Sequence, residues 1–220
     1  MDFQQLLVPI KNKNKINICS ENYGCVLSSD HLTNTVLIFD ANTKNSNLKS
    51  DYLKIKDDAS IFYYNYNLNK NNKVIDQIDI NSDFDKIKIF KKETTLIMSF
   101  AYSKYITNMK KHELDFVTQL NIEINQIYEN SYLHDDIILK KILEHFYIIH
   151  IQSNNKLPFY INKVPACFKL TLLNKNLFKN KKIYKEVLEY PISKIDFQNE
   201  ENLFFHLNWW KNKKFKVNKN

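Results

Sequence analysis

Two C-terminal runs interleave cations with aromatic rings: LNKNLFKNKKIYK (173–185) and NWWKNKKFKVNK (208–219) set Phe178, Tyr184, Trp209, Trp210 and Phe215 among ten lysines. This pairing suits single-stranded nucleic acid, because lysines follow a phosphate backbone while flat rings stack on unpaired bases without strong sequence preference. The expected contacts are Lys179, Lys181, Lys182, Tyr184, Trp210, Lys211, Lys213, Lys214 and Phe215. Trp210 abuts the lysine run and is expected to be exposed, whereas Trp209 follows the apolar NLFFHL stretch and is expected to anchor the core. The competing interpretation is that both tryptophans plug the core and the lysines form a solvated end. A second aromatic cluster, SIFYYNYNLNK, adds Tyr64 and Tyr66, which share a strand face with Phe62 and would form a stacking platform unless they pack inward.

Acid–base or metal chemistry has one compact candidate set, His134, Asp135, Asp136, Glu144 and His145, with Glu113 or Asp115 as further ligands. Its spacing is poor for a metal, since His145 and His150 are five apart and diverge on a helix. Tyr190 and Lys194 have a Y-x-x-x-K spacing, but 13 tyrosines and 32 lysines produce that by chance, and Pro191 interrupts any shared helix face. Cys19, Cys25 and Cys167 lack the spacing of a disulfide framework or a zinc site and read as free thiols in a reducing, cytoplasmic or other intracellular compartment. Nothing calls for a cofactor.

The absences exclude more. The only glycine is Gly24 and there is no arginine, so glycine-rich phosphate cradles and bidentate guanidinium grips are not expected. Thirty asparagines, abundant Lys and Ile, and scarce Gly and Pro are what an AT-rich genome, a viral one among them, writes. That discounts the net charge of +8 as a functional signal. The distribution of charge survives the discount. Residues 1–168 carry 20 lysines against 19 carboxylates, while 169–220 carry 12 against 5.

The elements that must position these residues follow from periodicity. KINICSE, TVLIFD, DYLKIKD, KVIDQIDI, DKIKIFK and TTLIMSF read as short half-buried strands over residues 16–102, with Asn-rich breaks in place of glycine turns. After Tyr105 the apolar period lengthens: Leu114, Val117, Leu120, Ile124, Ile127 and Tyr128 form a helical stripe, predicting helices over 111–130 and 135–151. FYINKVP, FKLTLLN and KIYKEVLEYPISKIDF then mix strand with short helix. The expected fold is α+β: an antiparallel β-rich region over 1–105, as a sheet or OB-like barrel, followed by two helices and a mixed basic C-terminal region over 106–220, with one continuous domain as the alternative. No apolar run is long enough to span a membrane.

The leading functional expectation is a non-catalytic single-stranded nucleic-acid-binding or replication and transcription accessory protein. The runner-up is a structural subunit whose rings meet protein partners, and the third is a metal-dependent nuclease or nucleotide-cleaving enzyme.

Overall fold

The computed structural model describes residues 7–18, 25–39, 46–64, 93–99, 103–125, 131–153 and 167–186. These form a two-stranded sheet of β1 (Lys15–Asn17) and β2 (Val26–Ser28), and a six-stranded sheet of β3 (Thr35–Phe39), β4 (Ser60–Tyr64), β5 (Thr94–Met98), β6 (Val117–Asn125), β7 (Phe146–Ser153) and β8 (Cys167–Asn174). Three α-helices accompany them: α1 (Ser46–Ile55), α2 (Lys111–Phe116) and α3 (Ser131–His145). The content is mixed α and β, as the sequence pattern implies. None of the helices among the described residues is long and apolar enough to cross a membrane.

The large sheet runs in the order β4-β3-β5-β6-β8-β7. Here the structure corrects the expectation of a wholly antiparallel N-terminal region. Among the described residues there, β1 and β2 pair antiparallel, while β3 pairs in parallel with both β4 and β5, and β5 in parallel with β6. The described strands therefore do not make an OB-type barrel. Parallel neighbours require a crossover connection, and DYLKIKD, expected as a strand, lies in α1 and the residues just after it, between β3 and β4. Leu48 and Tyr52, four residues apart, bury one face of α1 against Val36, Ile38 and Ile97, and the Tyr52 hydroxyl accepts the Thr33 N–H and donates to the Thr33 carbonyl at 3.0 Å each. The strands expected at KVIDQIDI, DKIKIFK and FYINKVP lie outside the described residues.

The helix expected over 111–130 is the second correction. Among its described residues Lys111–Phe116 is helical, and Val117–Asn125 is a central strand paired with β5 on one side and antiparallel with β8 on the other. The helix expected over 135–151 begins four residues earlier and ends at His145, where the chain turns directly into β7. Because β5 and β6 are hydrogen-bonded neighbours, one sheet continues across residue 105.

Alternation along the strands divides the interior. Leu37, Phe39, Leu96, Met98, Leu120, Ile122 and Ile124 face the main core, where Ile138, Leu139 and Ile142 of α3 pack. On the opposite face lie α1 and the β1–β2 hairpin, with a third small cluster of Ile10, Ile149 and Leu173 beside β7. One ion pair joins distant parts of the chain: Lys15 Nζ lies 2.5 Å from Glu186 Oε2, and both side chains are only 1% exposed. Lys15→Met would remove the cation that faces the buried Glu186 carboxylate and should cost about 3–5 kcal/mol in urea denaturation, while adding Glu186→Leu to it should recover most of that loss. Equal stability of the single and double variants would refute this account of the pair.

Candidate nucleic-acid interface

The first basic run begins where β8 ends. Asn174 is buried and its side chain closes three backbone groups: Nδ2 donates to the carbonyls of Leu114 (3.0 Å) and Val117 (2.9 Å), and Oδ1 accepts the N–H of Asn176 (2.9 Å). That starts a 3₁₀ turn over Lys175–Phe178. Lys175 leaves the surface, donating to the Leu143 carbonyl at 2.7 Å with its ammonium 5.1 Å from the Tyr147 ring centre. Burial pushes its pKa below the ordinary lysine value, with Glu144 opposing. Phe178 stacks edge-on against Tyr147 at 5.5 Å and is packing rather than platform.

Asn180 then adopts φ 66°, the left-handed conformation that asparagine tolerates best after glycine, and the Lys181 N–H donates to the Phe178 carbonyl at 2.9 Å. The tight turn leaves Lys179, Lys181 and Lys182 exposed. Beyond it the chain pairs with the N-terminal segment: Ile10 bridges Lys185, the Lys11 N–H donates to the Tyr184 carbonyl (2.7 Å) and the Glu186 N–H to the Pro9 carbonyl (2.9 Å). This pairing, joined by the ion pair of Lys15 and Glu186, sets exposed Lys11 beside Tyr184, which is 58% exposed, and Lys13 of the same segment is exposed as well.

Of the residues expected to bind, Lys179, Lys181, Lys182 and Tyr184 are all exposed in the segment that follows the 3₁₀ turn. Tyr64 is the last residue of β4, in register with Phe39, while Phe62 of the same strand packs against the main core. Tyr66, Trp209, Trp210, Lys211, Lys213, Lys214 and Phe215 lie outside the described residues. Lys11 and Lys13 were missed, although lysines recurring at every second position from 11 to 15 are a strand-like signal.

The acid–base set does not assemble as expected. His134, Asp135 and Asp136 begin α3 while Glu144 and His145 end it, roughly 15 Å apart at helical rise. The structure brings Glu144 and His145 instead to Asp115, Lys111, Lys175, Asn174 and Asn176 around a cleft of about 330 Å³. His145 Nδ1 lies 3.9 Å from Asp115 Oδ1, and burial holds its pKa below the usual histidine value against the pull of Asp115 and Glu144. Among the described residues no group of three or more His, Cys, Asp or Glu side chains is placed to hold a metal ion. The cleft carries both signs of charge, and its two depressed groups are explained by desolvation.

His31 is also depressed by burial, with Asp30 opposing and Lys181 reinforcing. For histidines whose folded pKa lies below the unfolded value, the unfolded chain binds more protons, so stability present at neutral pH is lost as pH falls through 6.5 toward the depressed values. The melting temperature should therefore drop between pH 7 and pH 5, and less so in His145→Gln. A melting temperature that rises on acidification would contradict the sign. In comparisons with known proteins, no family model, no curated protein and no solved structure matches the chain.

Proposed function

We propose that the chain is a non-catalytic accessory protein that binds single-stranded nucleic acid. The observation that supports this reading is the backbone pairing of two segments far apart in sequence, one carrying exposed Lys11 and Lys13 and the other exposed Lys179, Lys181, Lys182 and Tyr184. Five lysines without a guanidinium give point-charge contacts, so binding is salt-sensitive and tolerant of sequence, and Tyr184 supplies a ring on which an unpaired base can stack. Neutralising five phosphates of a single strand gives a slope of log affinity against log salt near about −3.5. Reversing Lys179, Lys181 and Lys182 to Glu should weaken oligonucleotide binding across sequences and reduce that slope by about 2. Tyr184→Ala should cost about 1–3 kcal/mol of binding with little change in melting temperature. Wild-type binding that does not respond to salt would replace this reading with a surface for protein partners.

A second reading has its own observation. The chain leaves β3 for β4 on one side and returns to β5 on the other, so the strand order reverses between β3 and β5; open α/β sheets hold ligands outside the carboxyl ends of strands at such a point. There the Ser99 N–H donates to the Phe39 carbonyl at 2.8 Å, while the Ser99 hydroxyl is shielded from solvent and has no hydrogen-bond partner among the described residues. The six residues after Phe39, DANTKN, contain no glycine, which argues against a pyrophosphate cradle and favours a nucleoside-sized ligand able to satisfy the hydroxyl. Under this reading adenosine raises the melting temperature at least as much as ATP does, and Ser99→Val removes the shift. No response to adenosine, AMP or ATP would discard it.

A further inference from the structure

We infer that His31 is a phosphate-contacting residue of the same basic surface, and that its protonation tightens the hold on a bound polyanion. The inference rests on the nucleic-acid reading and extends it to a residue outside both lysine segments. His31 closes the 3₁₀ turn Ser29–His31 that follows β2. This turn is tied to the N-terminal lysine segment, because the Ser29 N–H donates to the Asn14 carbonyl at 2.9 Å and Asn14 Nδ2 donates to both oxygens of Asp30 at 2.8 and 2.9 Å. From below, Gln119 Nε2 donates to the His31 carbonyl at 3.1 Å.

The ring itself is oriented. Asn12 Nδ2 donates to the Ser28 hydroxyl at 3.3 Å, and that hydroxyl lies 3.0 Å from His31 Nδ1. In the neutral tautomer that carries its proton on Nε2, the Ser28 hydroxyl accepts from Asn12 and donates to Nδ1, and Nε2 is the nitrogen that enters no hydrogen bond among the described residues. The charged groups facing the ring are Asp30 of its own turn and Lys181 of the C-terminal segment. The Asp30 carboxylate is already engaged by Asn14, which leaves Lys181 as the neighbour whose counter-ion His31 would share. A phosphate drawn to Lys181 supplies the negative charge that the half-buried imidazole lacks. It therefore favours proton uptake on binding, and the imidazolium donates through Nε2 as an added cation.

The experiment measures anisotropy of labelled oligothymidylate at pH 7.5 and 5.5, at fixed ionic strength, for wild type, His31→Gln and His145→Gln, together with the imidazole titration of wild-type His31 by NMR with and without the oligonucleotide. Wild type and His145→Gln should gain about five- to tenfold in affinity on acidification, with a salt slope steeper by about 0.7 at pH 5.5, while His31→Gln shows neither gain. The His31 titration midpoint should move up when the oligonucleotide is bound. An equal gain in His31→Gln, or a midpoint that stays put in a complex that does form, would overturn the inference and leave the lysine surface standing. Because the NMR titration is made on native protein, it decides the matter even if His31→Gln does not fold. No binding of oligothymidylate at either pH would refute the nucleic-acid reading and this inference with it.

Discussion

β6 is buried on both faces, and its polar face governs how the rest is assembled. Leu120, Ile122 and Ile124 fill the main core, while Gln119, Asn121 and Glu123 point the other way into an interior that is equally closed. Buried amides must be hydrogen-bonded, since an unmet one costs about 1–3 kcal/mol, and the β1–β2 hairpin meets that demand. Gln119 Oε1 accepts the Ser28 N–H at 3.1 Å, and Asn121 Nδ2 donates to the Val26 carbonyl at 3.3 Å and to Thr171 Oγ1 at 3.1 Å. Thr171 in turn donates to the same Val26 carbonyl at 2.6 Å. An apolar strand face would accept the hairpin in several registers. This one accepts it in a single register, which fixes the turn that carries His31 and the segment that carries Lys11 and Lys13.

That same face explains what the sequence hid. Gln119, Asn121 and Glu123 read as the solvent side of an amphipathic helix, and the apolar residues fit a helical period as well as a strand's alternation, because Leu120 and Ile124 satisfy both spacings. Only their hydrogen-bonding partners, drawn from residues 26–31, 95, 167 and 171, decide for the strand, and no local pattern contains partners so distant. DYLKIKD misleads for a related reason. Its Leu53 and Ile55 alternate with Lys54 and Lys56 as in a strand, yet the contact that matters is Leu48 with Tyr52 at helical spacing, packed on a sheet face that does not exist until β3 and β5 pair.

TVLIF, TTLIM and FKLTLLN were legible as strands because β-branched and apolar residues crowd each run. The direction of pairing has a local signal too: all five residues of TVLIF and of TTLIM are buried, and such unbroken burial belongs to parallel strands covered on both faces. At the candidate surface, composition identified Lys179, Lys181, Lys182 and Tyr184, whereas Lys11 and Lys13 became visible only through backbone pairing with residues 184–186. The packing of Phe178 had no local signal, since Tyr147 lies far from it in sequence and near it in space.

The tie between Lys15 and Glu186 spans 171 positions of the chain, and it bears on the order of events during synthesis. Residues 9–15 leave the ribosome early, but the strand segment they pair with and the carboxylate that neutralises Lys15 emerge only after residue 186 has been made. Closing so long a loop is entropically slow, and local contacts form before it. Until then the nascent chain holds its lysines apart, so the assembled cationic surface is a property of the finished fold rather than of the growing polypeptide.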